Sequence, residues 1–176
     1  MKKWLKMIAG LVLLLLMAFF GLRTWTKSYS PEAKEKIVRK GFMAEVTYCR
    51  PSKKGRIIFG ELVPYGKVWR TGANEATVIQ LGQDTEVAGS VLPKGNYSLW
   101  TIPDPREWTI IFNKETGQWG THYNAEEDIL KVKVPAARIE VPVEMFTISF
   151  QPSDNDVQMI LAWEHTRVAV PMRKAP

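Results

Sequence analysis

One cysteine, Cys49, and two histidines, His122 and His165, are all the thiol and imidazole in 176 residues. That scarcity excludes a disulfide scaffold and a Cys/His-rich zinc module, and no metal or cofactor is expected. A nucleophile elbow of the Gly-x-Ser-x-Gly type is also missing, so no catalytic residue is assigned. Charge of one sign is absent from most of the chain. The net charge is +6, yet residues 1–40 hold nine Lys/Arg against Glu32 and Glu35, leaving fifteen bases against sixteen acids beyond residue 40. A neutral folded part lacks the broad basic footprint of a nucleic-acid binder, and no such partner is expected. With 45% hydrophobic and 24% charged residues the chain suits one ordinary domain plus some extra sequence.

The extra sequence is at the amino end. Met7 to Leu22 carries no charge and follows Lys2, Lys3 and Lys6. Sixteen helical residues reach about 24 Å, short of a hydrocarbon core of about 30 Å, but a helix from Trp4 to Trp25 reaches about 33 Å, with both tryptophans at interfacial positions. The segment therefore reads as a signal anchor (residues 1–27) that meets the membrane through residues 4–25. The stretch Ala18-Phe-Phe-Gly-Leu-Arg-Thr-Trp25 shows no small-x-small cleavage site; secretion after cleavage at an atypical site is the alternative. The three lysines place the amino end in the cytoplasm and the rest outside the cytoplasmic membrane. Ser30 as N-cap, Pro31 at the first turn, the Glu32/Lys36 and Glu35/Arg39 pairs and Gly41 as C-cap predict a short helical spacer over 28–41.

From residue 42 to 172, ahead of a tail at 173–176, alternation with period two takes over. Leu130-Lys-Val-Lys-Val134, Phe146-Thr-Ile-Ser-Phe150 and Val157/Met159/Leu161/Trp163 are half-buried strands. Less regular runs lie at 44–48, 56–59, 77–81, 97–102, 108–112 and 167–170, with a tight hairpin at 85–91 turning at Gly89 and turn clusters at 92–96, 102–106 and 152–156. About nine or ten short strands predict an all-β, antiparallel β-sandwich, with a closed β-barrel as the alternative.

Two stretches break the pattern, 60–76 and 114–127. Loops this long in a compact domain tend to be functional or disordered, and Tyr65, Trp69, Trp119 and Tyr123 argue for order. The first belongs to a set of motifs: Arg50-Pro-Ser-Lys-Lys-Gly-Arg56, Ile58-Phe-Gly60, Val63-Pro-Tyr-Gly-Lys-Val-Trp-Arg-Thr-Gly-Ala-Asn-Glu-Ala-Thr77, Leu92-Pro-Lys-Gly-Asn-Tyr-Ser-Leu-Trp-Thr-Ile-Pro103, Trp108-Thr-Ile-Ile-Phe-Asn-Lys114, Gln118-Trp-Gly120 and Glu144-Met-Phe-Thr-Ile148. Over about 44–171 these resemble the bacterial family catalogued as domain of unknown function 2911. The resemblance implies an exported, mostly β domain of bacterial envelopes and no particular activity.

Arg70, Asn74 and Glu75 beside Trp69 and Tyr65 combine a guanidinium fork, an amide and a carboxylate with ring faces, the equipment for a glycan or small polar ligand. Mutual contacts that pin an irregular loop would use the same residues. Arg50, Lys53, Lys54 and Arg56, with Lys67 and Arg70, suit anion capture or a solvated basic turn. Ligand-binding candidates are thus Arg70, Asn74, Glu75, Trp69, Tyr65, Trp119, Arg50 and Arg56. Two other classes stay open. A carboxylate-dependent hydrolase of an envelope polymer needs a second acid about 5 to 10 Å from Glu75, with Glu61, Glu126, Glu127 and Asp128 available. A protein-interaction module uses the loops or a strand edge. Cys49 reads as a buried apolar residue, and His122 and His165 are given no role.

Overall fold

Alternating apolar residues become nine antiparallel strands behind one N-terminal helix among the described residues. The computed structural model describes residues 2–154 and 156–176; Met1 and Asn155, the latter within the turn expected at 152–156, lie outside the described residues. The chain runs α1 (Lys2–Tyr29), β1 (Glu32–Arg39), β2 (Phe42–Cys49), β3 (Thr77–Leu81), β4 (Thr85–Val87), β5 (Ser90–Leu92), β6 (Gly95–Ile102), β7 (Glu107–Asn113), a 3-10 turn at Ala125–Glu127, β8 (Asp128–Ser153) and β9 (Asp156–Lys174).

The strands are ordered β1-β2-β3-β6-β7-β8-β9-β4-β5. Strand β8 pairs with β7 from Asp128 to Pro135 and with β9 from Ala136 to Ser153, so one long strand joins both layers of a sandwich. Pro135 stands at the end of the first ladder, where its missing N–H costs little. The order ends in β1 and β5 without closure, so the barrel alternative is set aside. Val46, Ile79, Leu99, Ile110 and Phe112 from one layer meet Phe146, Ile148, Met159, Leu161 and Val170 from the other in a single buried cluster. The expected strands at 130–134 and 146–150 are parts of β8, and those at 157–163 and 167–170 are parts of β9. Residues 56–59 form no strand, only a bridge between Phe59 and Val63.

The helical spacer over 28–41 is corrected. Residues 32–39 are β1, paired to β2 through eight positions from Glu32↔Cys49 to Arg39↔Phe42. Two i,i+4 pairs offer a few tenths of a kcal/mol each, less than a full ladder that also seats Ala33 and Ile37 against the core. Lys34 and Lys36 instead pair across the strands with Glu45, at 2.9 and 3.7 Å. Gly41 has the positive φ that a C-cap needs, but with Lys40 (φ 48° and 76° for Lys40 and Gly41) it makes a two-residue hairpin turn, which demands the same backbone.

Helix α1 is largely apolar and exposed, with Thr26 and Lys27 half-buried at its foot; residues Lys3–Tyr29 are long enough to cross a membrane, and an 18-residue stretch of them has a mean hydropathy of 2.4. Only Ser30 and Pro31 separate it from β1.

Candidate functional site

The two irregular loops meet. In the first, Trp69 exchanges both backbone hydrogen bonds with Thr101 of β6, at 2.7 and 2.9 Å. The Trp69 ring then enters the core, stacked on Trp163 at 5.9 Å and edge-on to Phe146 at 5.0 Å. Beyond it the chain turns sharply: Thr71 and Asn74 are left-handed (φ 54° and 60°), and the Thr71 carbonyl accepts from Thr77 Oγ1 at 2.7 Å. The second loop is laid over the outer face of β6 and β7, where Tyr123 packs on the buried Trp100 at 5.0 Å and donates its hydroxyl to Asp128. Their junction is a short backbone ladder. Ala76 N donates to Gln118 O at 3.1 Å, Gly120 N donates to Asn74 O at 2.9 Å, and Glu75 faces Trp119. Gly120 is sealed in: a Cβ there would stand 2.2 Å from Arg70 Cδ and 2.7 Å from Asn74 O.

The sharp turn splits the expected site in two. On one side a groove of about 520 Å³ is lined by Lys54, Arg56, Lys67 and Arg70, with Trp69 and Trp163 among its apolar walls and Tyr29 and Ser30 at the foot of α1. Among the described residues, no carboxylate lines it. Two nearby acids are engaged elsewhere: Glu144 accepts from Lys54 N at 2.9 Å, and Glu164 pairs with Lys53 at 3.2 Å. Arg56 donates to the carbonyls of Lys53 and Ser52, at 2.9 and 2.6 Å, which fixes its fork at the rim. Lys54 lies over the Tyr29 ring, 4.9 Å from its centre.

Arg70 is the unusual group. It is partly buried, and among the described residues it donates only a long 3.5 Å bond from Nη1 to Gly120 O and its buried Nε has no partner. Burial pushes its guanidinium below the ordinary arginine value. A buried donor left unpaired costs about 1–3 kcal/mol, so the fold keeps Arg70 at some expense.

On the other side, Glu75 and Trp119 line a cleft of about 430 Å³ with Phe19, Leu22 and Thr26 of α1 and with Gly117. Glu75 stands 3.6 Å from Lys27, which also binds Glu32 at 2.5 Å, and it accepts from the Cys49 thiol at 3.8 Å. Cys49 is buried, and desolvation raises its thiol pKa, an unreactive setting.

Of the residues singled out from sequence, Arg70, Arg56 and Trp69 thus share the groove, while Glu75 and Trp119 share the cleft. Asn74 is at the junction, with its buried Nδ2 beside the Cys49 thiol. Tyr65 packs on Gly60, where a Cβ would come within 3.0 Å of the ring. Arg50 staples β2 to β8 through Phe146 O and Thr147 Oγ1, at 3.2 and 2.8 Å. Lys54 and Lys67 complete the basic lining; both were visible as cations, but their convergence depends on the path of a loop without period. Gly120 carried a weaker signal, a glycine directly after Trp119.

No curated protein and no solved structure matches the chain. A family model described as a protein of unknown function, DUF2911, matches residues 30–172, and the chain belongs to that family.

Proposed function

We propose that this DUF2911 protein is a membrane-tethered, extracytoplasmic binding domain that captures an anionic ligand, such as an acidic glycan or a phosphate-bearing molecule, in the groove beside Arg70. The observation that carries this reading is the lining itself. Lys54, Arg56, Lys67 and Arg70 surround about 520 Å³ with no acidic side chain among the described residues of the wall. Like charges gathered in one concavity repel, and a partner anion relieves that repulsion. Arg70 lines the groove with a single long bond, 3.5 Å to Gly120 O, among the described residues, and a carboxylate or phosphate oxygen offers its guanidinium a charge-assisted partner. Trp69 and Trp163 give the groove an apolar floor for the uncharged part of the ligand. The apolar helix supports the tether, and the lysines before it support the side.

The test is thermal unfolding of the full chain in detergent micelles with inorganic phosphate, glucuronate or glucose added. Phosphate or glucuronate raises the midpoint, glucose does not, and Lys67→Gln removes the gain; a site filled to a hundred times its dissociation constant adds about 2.7 kcal/mol. A midpoint unmoved by both anions refutes the reading.

A further inference from the structure

The groove and the cleft both open beside α1, and their order along the helix is informative. Phe19 and Leu22 lie inside the apolar run and share the cleft with Gly117 and Trp119. Tyr29 and Ser30, at the foot of the helix, share the groove with the cations. At a rise of 1.5 Å per residue, Tyr29 is about 10 Å farther along the axis than Leu22, and about 6 Å beyond Trp25. The headgroup layer of one leaflet is about 5 to 8 Å thick outside the hydrocarbon core. A bilayer that held the apolar run would meet Gly117 and Trp119 near its acyl boundary and the groove near its headgroups. The side chains fit those depths. Trp119 is exposed at 40%, as an interfacial tryptophan is, and the groove presents four cations at the level where lipid phosphates lie.

We infer that the groove takes the phosphate of an anionic phospholipid headgroup from the bilayer that holds α1, with Trp119 seated in the interface of the same leaflet. This rests on the anion-binding reading and names its source: a membrane lipid instead of a free phosphate. Lys54 and Lys67 are exposed and reach the phosphate from the solvent side. Arg70 meets it from within, and the short joint between α1 and β1 keeps the groove at headgroup height.

The experiment uses the full chain in nanodiscs, of phosphatidylcholine alone or of equimolar phosphatidylcholine and phosphatidylglycerol, with unfolding of the β domain followed by near-ultraviolet circular dichroism. Phosphatidylglycerol raises the midpoint by about 5 °C or more. The double variant Lys54→Gln/Lys67→Gln loses that rise, read as the difference between its own midpoints in the two kinds of disc. A rise that persists in the variant overturns the inference, because it then comes from the lysines flanking the helix. Inorganic phosphate added to phosphatidylcholine discs separates the two readings. If phosphate raises the midpoint and phosphatidylglycerol does not, the groove binds anions and the lipid assignment is overturned; if neither does, both readings are. Quenching by bromine-labelled phosphatidylcholine is the second readout: the wild type loses more emission than Trp119→Phe. Equal quenching places the loop away from the bilayer and overturns the inference.

Discussion

Replacing Arg70 by methionine separates a binding residue from a structural one by the sign of its effect on stability. Methionine keeps the stem of the side chain that packs against Gly120, ending where Nε stands, and removes the charge and the donors. The loss is one weak bond, Nη1 to Gly120 O at 3.5 Å, near the limit of a hydrogen bond and worth about 0.5 kcal/mol. The gain is relief of the buried, partnerless Nε and of a desolvated charge that meets no carboxylate among the described residues. An unpaired buried donor alone costs about 1–3 kcal/mol, so the ligand-free variant is more stable than the wild type by about 1 kcal/mol. At a urea dependence of about 2 kcal/mol per molar, the midpoint rises by about 0.5 M. The same variant loses its stabilisation by phosphate. Urea unfolding of the full chain in micelles, with and without phosphate, reads both effects. A variant less stable than the wild type by 1 kcal/mol or more would show that Arg70 holds the loops together, and the argument from its missing partner would fail.

Three further expectations follow from geometry. Gly120→Ala drives a methyl into Arg70 Cδ and Asn74 O, costs about 1–3 kcal/mol, and costs less in the Arg70→Ala background, where one of the two obstructions is gone; equal costs in both backgrounds contradict this. Tyr48→Phe removes a buried hydroxyl that accepts from Ile148 N at 2.8 Å and donates to Ile148 O at 3.0 Å, leaving both backbone groups unpaired, and lowers stability by about 2 kcal/mol in denaturant titration. Desolvation first, then its bond to Asp128, raises the Tyr123 pKa well above the ordinary value near 10. The folded state then holds a proton that the unfolded state releases, so the Tyr123 contribution is complete below pH about 10 and shrinks as pH climbs toward the folded value; Tyr123→Phe flattens that alkaline decline, and an unchanged slope would disprove the assignment.

Strand content and the two-layer arrangement were legible because period two survives wherever one face of a strand is buried, as in Val132/Val134 and Phe146/Ile148. The β1 segment was misread for a physical reason. Its charges are spaced for either a helix or an exposed edge strand, and the positive-φ pair Lys40-Gly41 ends a helix as well as it turns a hairpin. Only the partner, β2, decides between them. The candidate site was legible in part. Long loops rich in rings and charges marked where chemistry gathers, yet Arg70 and Glu75, five residues apart, face different cavities because Thr71 and Asn74 turn the chain between them. Left-handed backbone at a threonine is dictated by its surroundings, here the Thr77 and Thr101 hydroxyls, and leaves no trace in local composition.

The link Ser30-Pro31 has a geometric corollary. A domain on a long flexible leash sweeps a hemisphere and can fish for targets far from its mooring. Here β1 begins three residues after the helix ends and is locked into a sheet at once. With α1 seated in a bilayer, the protein stands at one elevation and keeps one heading, so whatever it contacts must travel to the surface or already reside there.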